Sequence, residues 1–175
     1  MTTPTATGHR RDLSDGTYCA WTRTFHAPIE DVWAAVTEPE RLARWIGTWT
    51  GDPASGEVKF QMLFEDEVPA ERFRIDECDA PRLLRITTSS PHDGENPEHW
   101  QLRLDLTEDN GVTTLTFAQN VPDPTMAQGV GPGWEYYLDR MVAAEAGADP
   151  ATVRFEDYYP ALSAYYLAEF GGATG

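Results

Sequence analysis

Six tryptophans, Trp21, Trp33, Trp45, Trp49, Trp100 and Trp134, constrain the chemistry of this chain more than any other residue type. With Phe60, Met62, Phe73, Phe117 and Met141 they supply large apolar surface, a few indole N–H donors, and thioethers that adapt to irregular shapes. Such a set either fills a core or walls an apolar ligand site in which a few polar groups orient what binds. Covalent chemistry finds less support. Ser14, Ser55, Ser89, Ser90 and Ser163 lack a Gly-x-Ser-x-Gly setting, and neither Cys19 nor Cys78 sits in a motif that would lower its pKa. His9, His26, His92 and His99 are scattered over a tail, a strand end and a loop. None pairs with cysteine or carboxylate at ligand spacing, so neither a metal nor another cofactor is expected. Glu65-Asp66-Glu67, followed by Val68-Pro69, reads as a wet hairpin loop. Gly129-Val130-Gly131-Pro132-Gly133 precedes a helix, but Pro132 removes an N–H and no basic residue follows closely; it reads as a hinge and helix start, not a phosphate loop.

The rest of the composition narrows the partners. At 175 residues and 41% hydrophobic content, one domain burying roughly 70% of its unfolded surface is expected. Thirteen Lys and Arg against 29 Asp and Glu leave a net charge of −16. That charge repels phosphate backbones and anionic headgroups, which argues against nucleic acid and membrane surfaces. Two cysteines exclude a disulfide framework. Met1 to Arg11 has no signal-peptide pattern and no apolar run approaches the roughly 18 residues of a spanning helix, so a cytoplasmic location with reduced thiols is expected.

These residues must be positioned by an α+β succession of elements. Residues 1–16 carry no periodicity and read as a flexible tail. Tyr18 to Phe25 alternate as a strand, ended by His26-Ala27-Pro28. Ile29, Val32, Trp33 and Val36 share one face of a short helix with Glu30 and Asp31 in its first turn. Thr37 and Glu40 read as a capping box opening a second short helix with Leu42, Trp45 and Ile46 on its apolar face, closed by Gly47. A period of two then holds for some sixty residues. It gives strands around Val58–Phe64, Arg72–Asp76, Leu84–Thr87, His99–Leu106 and Val112–Gln119, the last two joined by Asn110-Gly111, a strong hairpin signal. The longest helix follows the Gly-Pro-Gly break, with Trp134, Tyr137, Leu138, Met141 and Val142 on one face, Glu135, Asp139 and Arg140 on the wet side, and an end near Gly147. Residues 17–147 thus form the expected domain. Residues 148–175 form an aromatic extension packed onto it, with a short helix starting near Pro160.

Three segments carry a resemblance. Arg23-Thr-Phe25-His-Ala27-Pro28-Ile-Glu30-Asp-Val32-Trp33, then Thr37-Glu-Pro39-Glu-Arg-Leu42-Ala-Arg-Trp45, then Gly131-Pro-Gly133-Trp134 with Leu138-Asp139 resemble the SRPBCC (START-like, Bet v-type) superfamily. Within it the chain is most similar to the branch of the 90-kDa heat-shock-protein ATPase activator homologues, over roughly Tyr18 to Tyr166. The resemblance implies a helix-grip fold, a seven-stranded antiparallel sheet around the C-terminal helix. Six strands are evident, and the short Trp49 region is the candidate seventh. It also implies an apolar cavity between sheet and helix, walled by Trp21, Arg23, Trp33, Trp45, Trp49, Phe60, Met62, Phe73, Trp100, Leu102, Phe117, Trp134, Tyr137, Leu138 and Met141. The Gly-Pro-Gly segment would lie near its mouth, where it could gate entry. In related folds an inward arginine anchors a ligand carboxylate. Of Arg23, Arg72, Arg74 and Arg103, most are expected in surface ion pairs.

Three functions follow. The first is binding of a small apolar or aromatic ligand. A polyketide aromatase/cyclase would use the same cavity but needs a general base, and none is evident. A co-chaperone or stress-response module with a chaperone partner rests on the family name alone. The tyrosine-rich extension is open to three roles: a lid, a homodimer face, or a cover for the sheet.

Overall fold

A computed structural model describes residues 4–65, 69–89 and 99–171. In chain order the elements are β1 (His9–Leu13), β2 (Gly16–Phe25), α1 (Ile29–Thr37), α2 (Pro39–Leu42), β3 (Gly47–Thr50), β4 (Glu57–Met62), β5 (Glu71–Asp79), β6 (Leu83–Ser89), β7 (His99–Asp109), β8 (Val112–Asn120), α3 (Ala127–Glu145) and α4 (Ser163–Glu169). The strands form one antiparallel sheet in the order β1-β2-β8-β7-β6-β5-β4-β3. The α+β order expected from the sequence is therefore present, with eight strands in place of six or seven. One addition is β3, the Trp49 region. The other is β1, which lies in the stretch expected to be a loose tail. Its first four residues are polar and exposed, so no apolar alternation marks it. It is held by antiparallel pairing from His9 opposite Ala20 to Leu13 opposite Gly16. Leu13 also packs on a small cluster of Tyr18, Ala20 and Ala118. No helix among the described residues is long and apolar enough to cross a membrane.

The chain divides into two compact units, one of Thr24–Phe117 and one of Met1–Arg23 with Ala118–Gly175. In the first, α1 buries Val32, Ala35 and Val36 and places Glu30 and Asp31 in its first turn. The Ile29 N–H, otherwise an orphan of that turn, donates to Glu108 Oε1 at 3.0 Å. Thr37 does not cap α2 as the sequence suggested. Its hydroxyl turns back to the Trp33 carbonyl at 2.7 Å, and Glu38 becomes the N-cap, without a side-chain cap bond. Pro39 explains the shift, because the residue before a proline is driven to extended backbone, and Glu38 has φ −75° and ψ 130°.

The sheet residues of this unit sort cleanly by face. Cross-strand register sets Val58 against Phe73, Phe73 against Thr88 and Thr88 against Trp100. Ile75, Ile86 and Leu102 form the next row. Ion pairs lie along the strands beside these rows: Arg72–Glu57 (3.2 Å), Arg74–Asp76 (2.7 Å), Arg85–Glu77 (3.3 Å) and Arg103–Asp105 (2.7 Å). Asn110 and Gly111, with φ of 52° and 78°, make the two-residue turn from β7 to β8 that their types predicted.

In the second unit, α3 begins at Ala127 and runs through Gly131-Pro132-Gly133, which the sequence analysis took as its start. Two local features permit this. A residue before proline resists the helical conformation partly through its Cβ, and Gly131 has none. Pro132 cannot bond the carbonyl four residues back, and that carbonyl, of Gln128, instead accepts from Ser163 Oγ at 2.7 Å. The extension supplies that serine, and its α4 buries Tyr166. Three short 3₁₀ turns share one recipe. Asp52-Pro53, Asp123-Pro124 and Asp149-Pro150 each use the aspartate Oδ1 to accept the N–H two residues on, at 3.0, 2.9 and 2.9 Å.

Candidate functional site

Glu135 of α3 is a densely bonded polar group. Helical periodicity predicts it on the wet side of the helix, but its side chain is 1% exposed. Arg23 of β2 explains how a carboxylate tolerates that burial. Its Nη2 lies 2.9 Å from Glu135 Oε1 and 3.0 Å from Asp139 Oδ1. The Thr7 hydroxyl and backbone N–H and the Tyr166 hydroxyl also donate to Glu135. Tyr166 accepts from Trp21 Nε1 at 2.9 Å and from the Gly8 N–H at 3.0 Å. Tyr158 donates to Asp139 Oδ2 at 2.6 Å. Arg140, also expected to be wet, is 4% exposed and donates to the Pro150 carbonyl at 3.0 Å.

Protonation follows from these contacts. Burial alone would raise the Glu135 pKa, but bonds from Thr7, Tyr166 and Arg23 outweigh it and hold the carboxylate below its ordinary range. Burial, then the bond to Glu135, pushes the Tyr166 phenol up, and burial does the same to the Cys19 thiol. These contacts favour the anion at Glu135 and the neutral phenol at Tyr166. An acid–base role needs a pKa near the working pH, so this cluster is a clamp joining the Thr7–Gly8 segment, β2, α3 and α4. It also engages the Arg23 guanidinium that the sequence analysis offered as a carboxylate anchor.

A second polar pair differs. Gln119 of β8 is wholly buried, and the Trp134 indole donates to its Oε1 at 2.5 Å. Its Nε2 has no acceptor among the described residues. No motif singles it out, but a glutamine in phase with Thr113, Leu115 and Phe117, all buried, is a legible anomaly on an apolar strand face. Trp134 is half-buried and its ring lies 6.3 Å from that of Tyr137.

The other expected wall residues fall into two groups. Trp21, Trp45, Phe60, Leu102, Phe117, Tyr137, Leu138 and Met141 are buried. Trp21 is committed to Tyr166, and Trp45 donates to the Ala35 carbonyl at 3.1 Å. Trp33, Trp49, Met62, Phe73 and Trp100 are half-buried. Trp49 donates to the Thr37 carbonyl at 2.7 Å. Phe73 stacks on Phe60 with centroids 4.7 Å apart and planes at 4°. Met62, Phe73 and Trp100 share one end of the sheet: β4 finishes there, β5 and β7 begin there, and Thr88 of β6 lies between Phe73 and Trp100 in the register. Leu63 and Phe64, the next residues after β4, are 46% and 42% exposed. No group of three or more histidine, cysteine, aspartate or glutamate residues suited to a metal occurs among the described residues. Asp66, Glu67, His92 and Ser90 lie outside those residues.

Comparison with known proteins places this architecture. No curated protein matches the sequence. Among solved structures the chain is similar to CalU16 from Micromonospora echinospora, with TM-score 0.68 and 22% identity over 95% of this chain and 98% of that one. It is also similar to DynU16, a protein in the dynemicin biosynthetic locus, with TM-score 0.64 and 23% identity over 76% of this chain and 49% of that one. A conserved protein of unknown function from Enterococcus faecalis aligns with TM-score 0.67 and 16% identity over 96% of this chain and 92% of that one. At these identities the likeness is one of fold. The family model described as Activator of Hsp90 ATPase homolog 1-like protein matches residues 26–145. That match takes in α1, every strand from β3 to β8 and all of α3, and by it the chain belongs to the Activator of Hsp90 ATPase homolog 1-like family, of the SRPBCC type.

Proposed function

We propose that this protein binds a small apolar or aromatic molecule. The observation that carries the reading is the sheet end formed by Met62, Phe73 and Trp100. Phe73 and Trp100 share a cross-strand row with Val58 and Thr88, and Met62 ends the strand β4 that carries Val58, yet each of the three is only half-buried, where a packed core would close over them. An aromatic stack, a thioether and an indole together suit a flat or flexible hydrocarbon body better than a sugar or a phosphate. Membership of an SRPBCC-type family supports the same reading, because such proteins typically bind small hydrophobic ligands. The fold neighbour from a biosynthetic locus supports a ligand of secondary-metabolite kind. A cyclase would need a proton-transfer group, and Glu135, the buried carboxylate among the described residues, is held ionised by Arg23.

Native mass spectrometry of protein purified gently from its own host tests the reading. An adduct of a few hundred daltons, absent from the denatured spectrum, is the expected result. The variant Phe73→Asp should weaken binding of the neutral dye Nile red by about 10–100-fold, the value of one aromatic contact at ~1.5–3 kcal/mol. Its thermal midpoint should fall, because Phe73 also stacks on the buried Phe60 ring, so the affinities are compared at a temperature where circular dichroism shows both proteins folded. No adduct, together with unchanged Nile red affinity in the variant, would refute the proposal.

A further inference from the structure

From the Gln119–Trp134 pair we infer a carbonyl-binding point in the unit that contains α3: Gln119 Nε2 is the hydrogen-bond donor to a neutral carbonyl oxygen of a small apolar molecule. The inference rests on the ligand-binding reading above but on a different observation. An indole N–H can only donate, so its 2.5 Å contact fixes which end of the amide is oxygen. The amide nitrogen is then left with two N–H groups, both inside a side chain that is 0% exposed. A buried donor without an acceptor costs about 1–3 kcal/mol. A leucine or methionine at 119 would fill the same space at no such cost. The Trp134 indole already occupies the amide oxygen, so what completes the site must accept and need not donate.

Charge selects among acceptors. A carboxylate or phosphate brought to a buried amide needs a counter-charge. The guanidinium nearest in role, Arg23, is already shared by Glu135 and Asp139, and the chain as a whole carries −16. A keto or ester oxygen needs only the hydrogen bond. The half-buried Trp134 ring, with Tyr137 beside it, offers the apolar flank for the body of such a molecule. The class is therefore a neutral, largely hydrocarbon compound with at least one carbonyl.

Two rigid probes of matched shape, 9-fluorenone and fluorene, differ only in a C=O against a CH₂. Titrated into the wild-type chain and followed by calorimetry, fluorenone should bind about tenfold more tightly, the worth of one net neutral hydrogen bond. In Gln119→Leu and in the volume-matched Gln119→Met the two probes should bind alike, with fluorene affinity kept within about twofold. The infrared C=O stretch of bound fluorenone should lie below its position in hexane, which needs no variant to fold. Equal binding of both probes by the wild-type chain with an unshifted stretch would overturn the Gln119 assignment while leaving the binding reading intact; so would a fluorenone preference that survives both substitutions. Binding of neither probe would remove both.

Discussion

Replacing Glu135 with alanine should lower the stability of this protein by about 3–5 kcal/mol, the usual cost of removing one partner from a buried ion pair. For a chain of this length that corresponds to a fall in melting temperature on the order of 10 °C, read by circular dichroism. The size follows from what the carboxylate holds. Without it Arg23 keeps only Asp139, whose side chain is 35% exposed. The Tyr166 hydroxyl and the Thr7 N–H then lose a buried acceptor. Exchanging both charges for apolar groups, Arg23→Met with Glu135→Leu, should cost less than the single change, because no buried charge is left alone. Acid should act through the same group. The Glu135 pKa is lower in the folded chain than its ordinary value of 4.5. Its contribution is therefore complete above that value and disappears as the pH falls through the lowered, folded-state pKa. Glu135→Gln cannot titrate, so its stability should change less than the wild type's below pH 4.5. A single Glu135→Ala variant melting within 2 °C of wild type would show that the cluster holds nothing.

That cluster was not legible in the sequence, and the reason is physical. Helical periodicity ranks residues by apolarity, so it sends a glutamate to the wet face unless its partners are known. Here the partners lie far away along the chain: Arg23 is 112 residues from Glu135, Thr7 is 128 and Tyr166 is 31. The middle of the chain was legible for the opposite reason. In most of β4, β5, β7 and β8 burial follows alternation, and Asn110-Gly111 writes its turn into two adjacent residues. Met62, Phe73 and Trp100 could be picked as apolar, but which aromatics stay half-open depends on strand register, which composition does not state. His9–Leu13 escaped because an edge strand is held by backbone pairing, which leaves little trace in side-chain pattern. Gln119 could have been noticed as a polar residue in apolar phase. Its unsatisfied amide appears only once Trp134 is placed beside it.

Two glycines of α3, two residues apart, should respond to alanine in opposite directions. In an open helical position Gly→Ala stabilises by up to about 1 kcal/mol, since alanine loses less backbone freedom on folding. Gly133 is such a position: a Cβ there meets nothing within 4 Å. Gly133→Ala should therefore raise the melting temperature by about 2–4 °C. At Gly131 the same methyl would stand 2.2 Å from Tyr166 Cγ and 2.3 and 2.5 Å from the two Cδ atoms. Those atoms belong to the root of a ring whose hydroxyl is tied to Glu135, Trp21 and Gly8, so the ring cannot swing away without loosening the clamp. The added Cβ would also meet the Pro132 ring that a glycine accommodates in a helix. Overpacking of this kind costs about 1–3 kcal/mol, and the clamp's loss adds to it. Gly131→Ala should lower the melting temperature by at least about 5 °C, and in a Tyr166→Ala background, where Cγ and both Cδ atoms are gone, most of the additional penalty should vanish. If both alanine variants instead melt above the wild type, Gly131 is not the point at which the C-terminal helix bears on α3, and the close approach that lets α3 run through its proline must be made elsewhere.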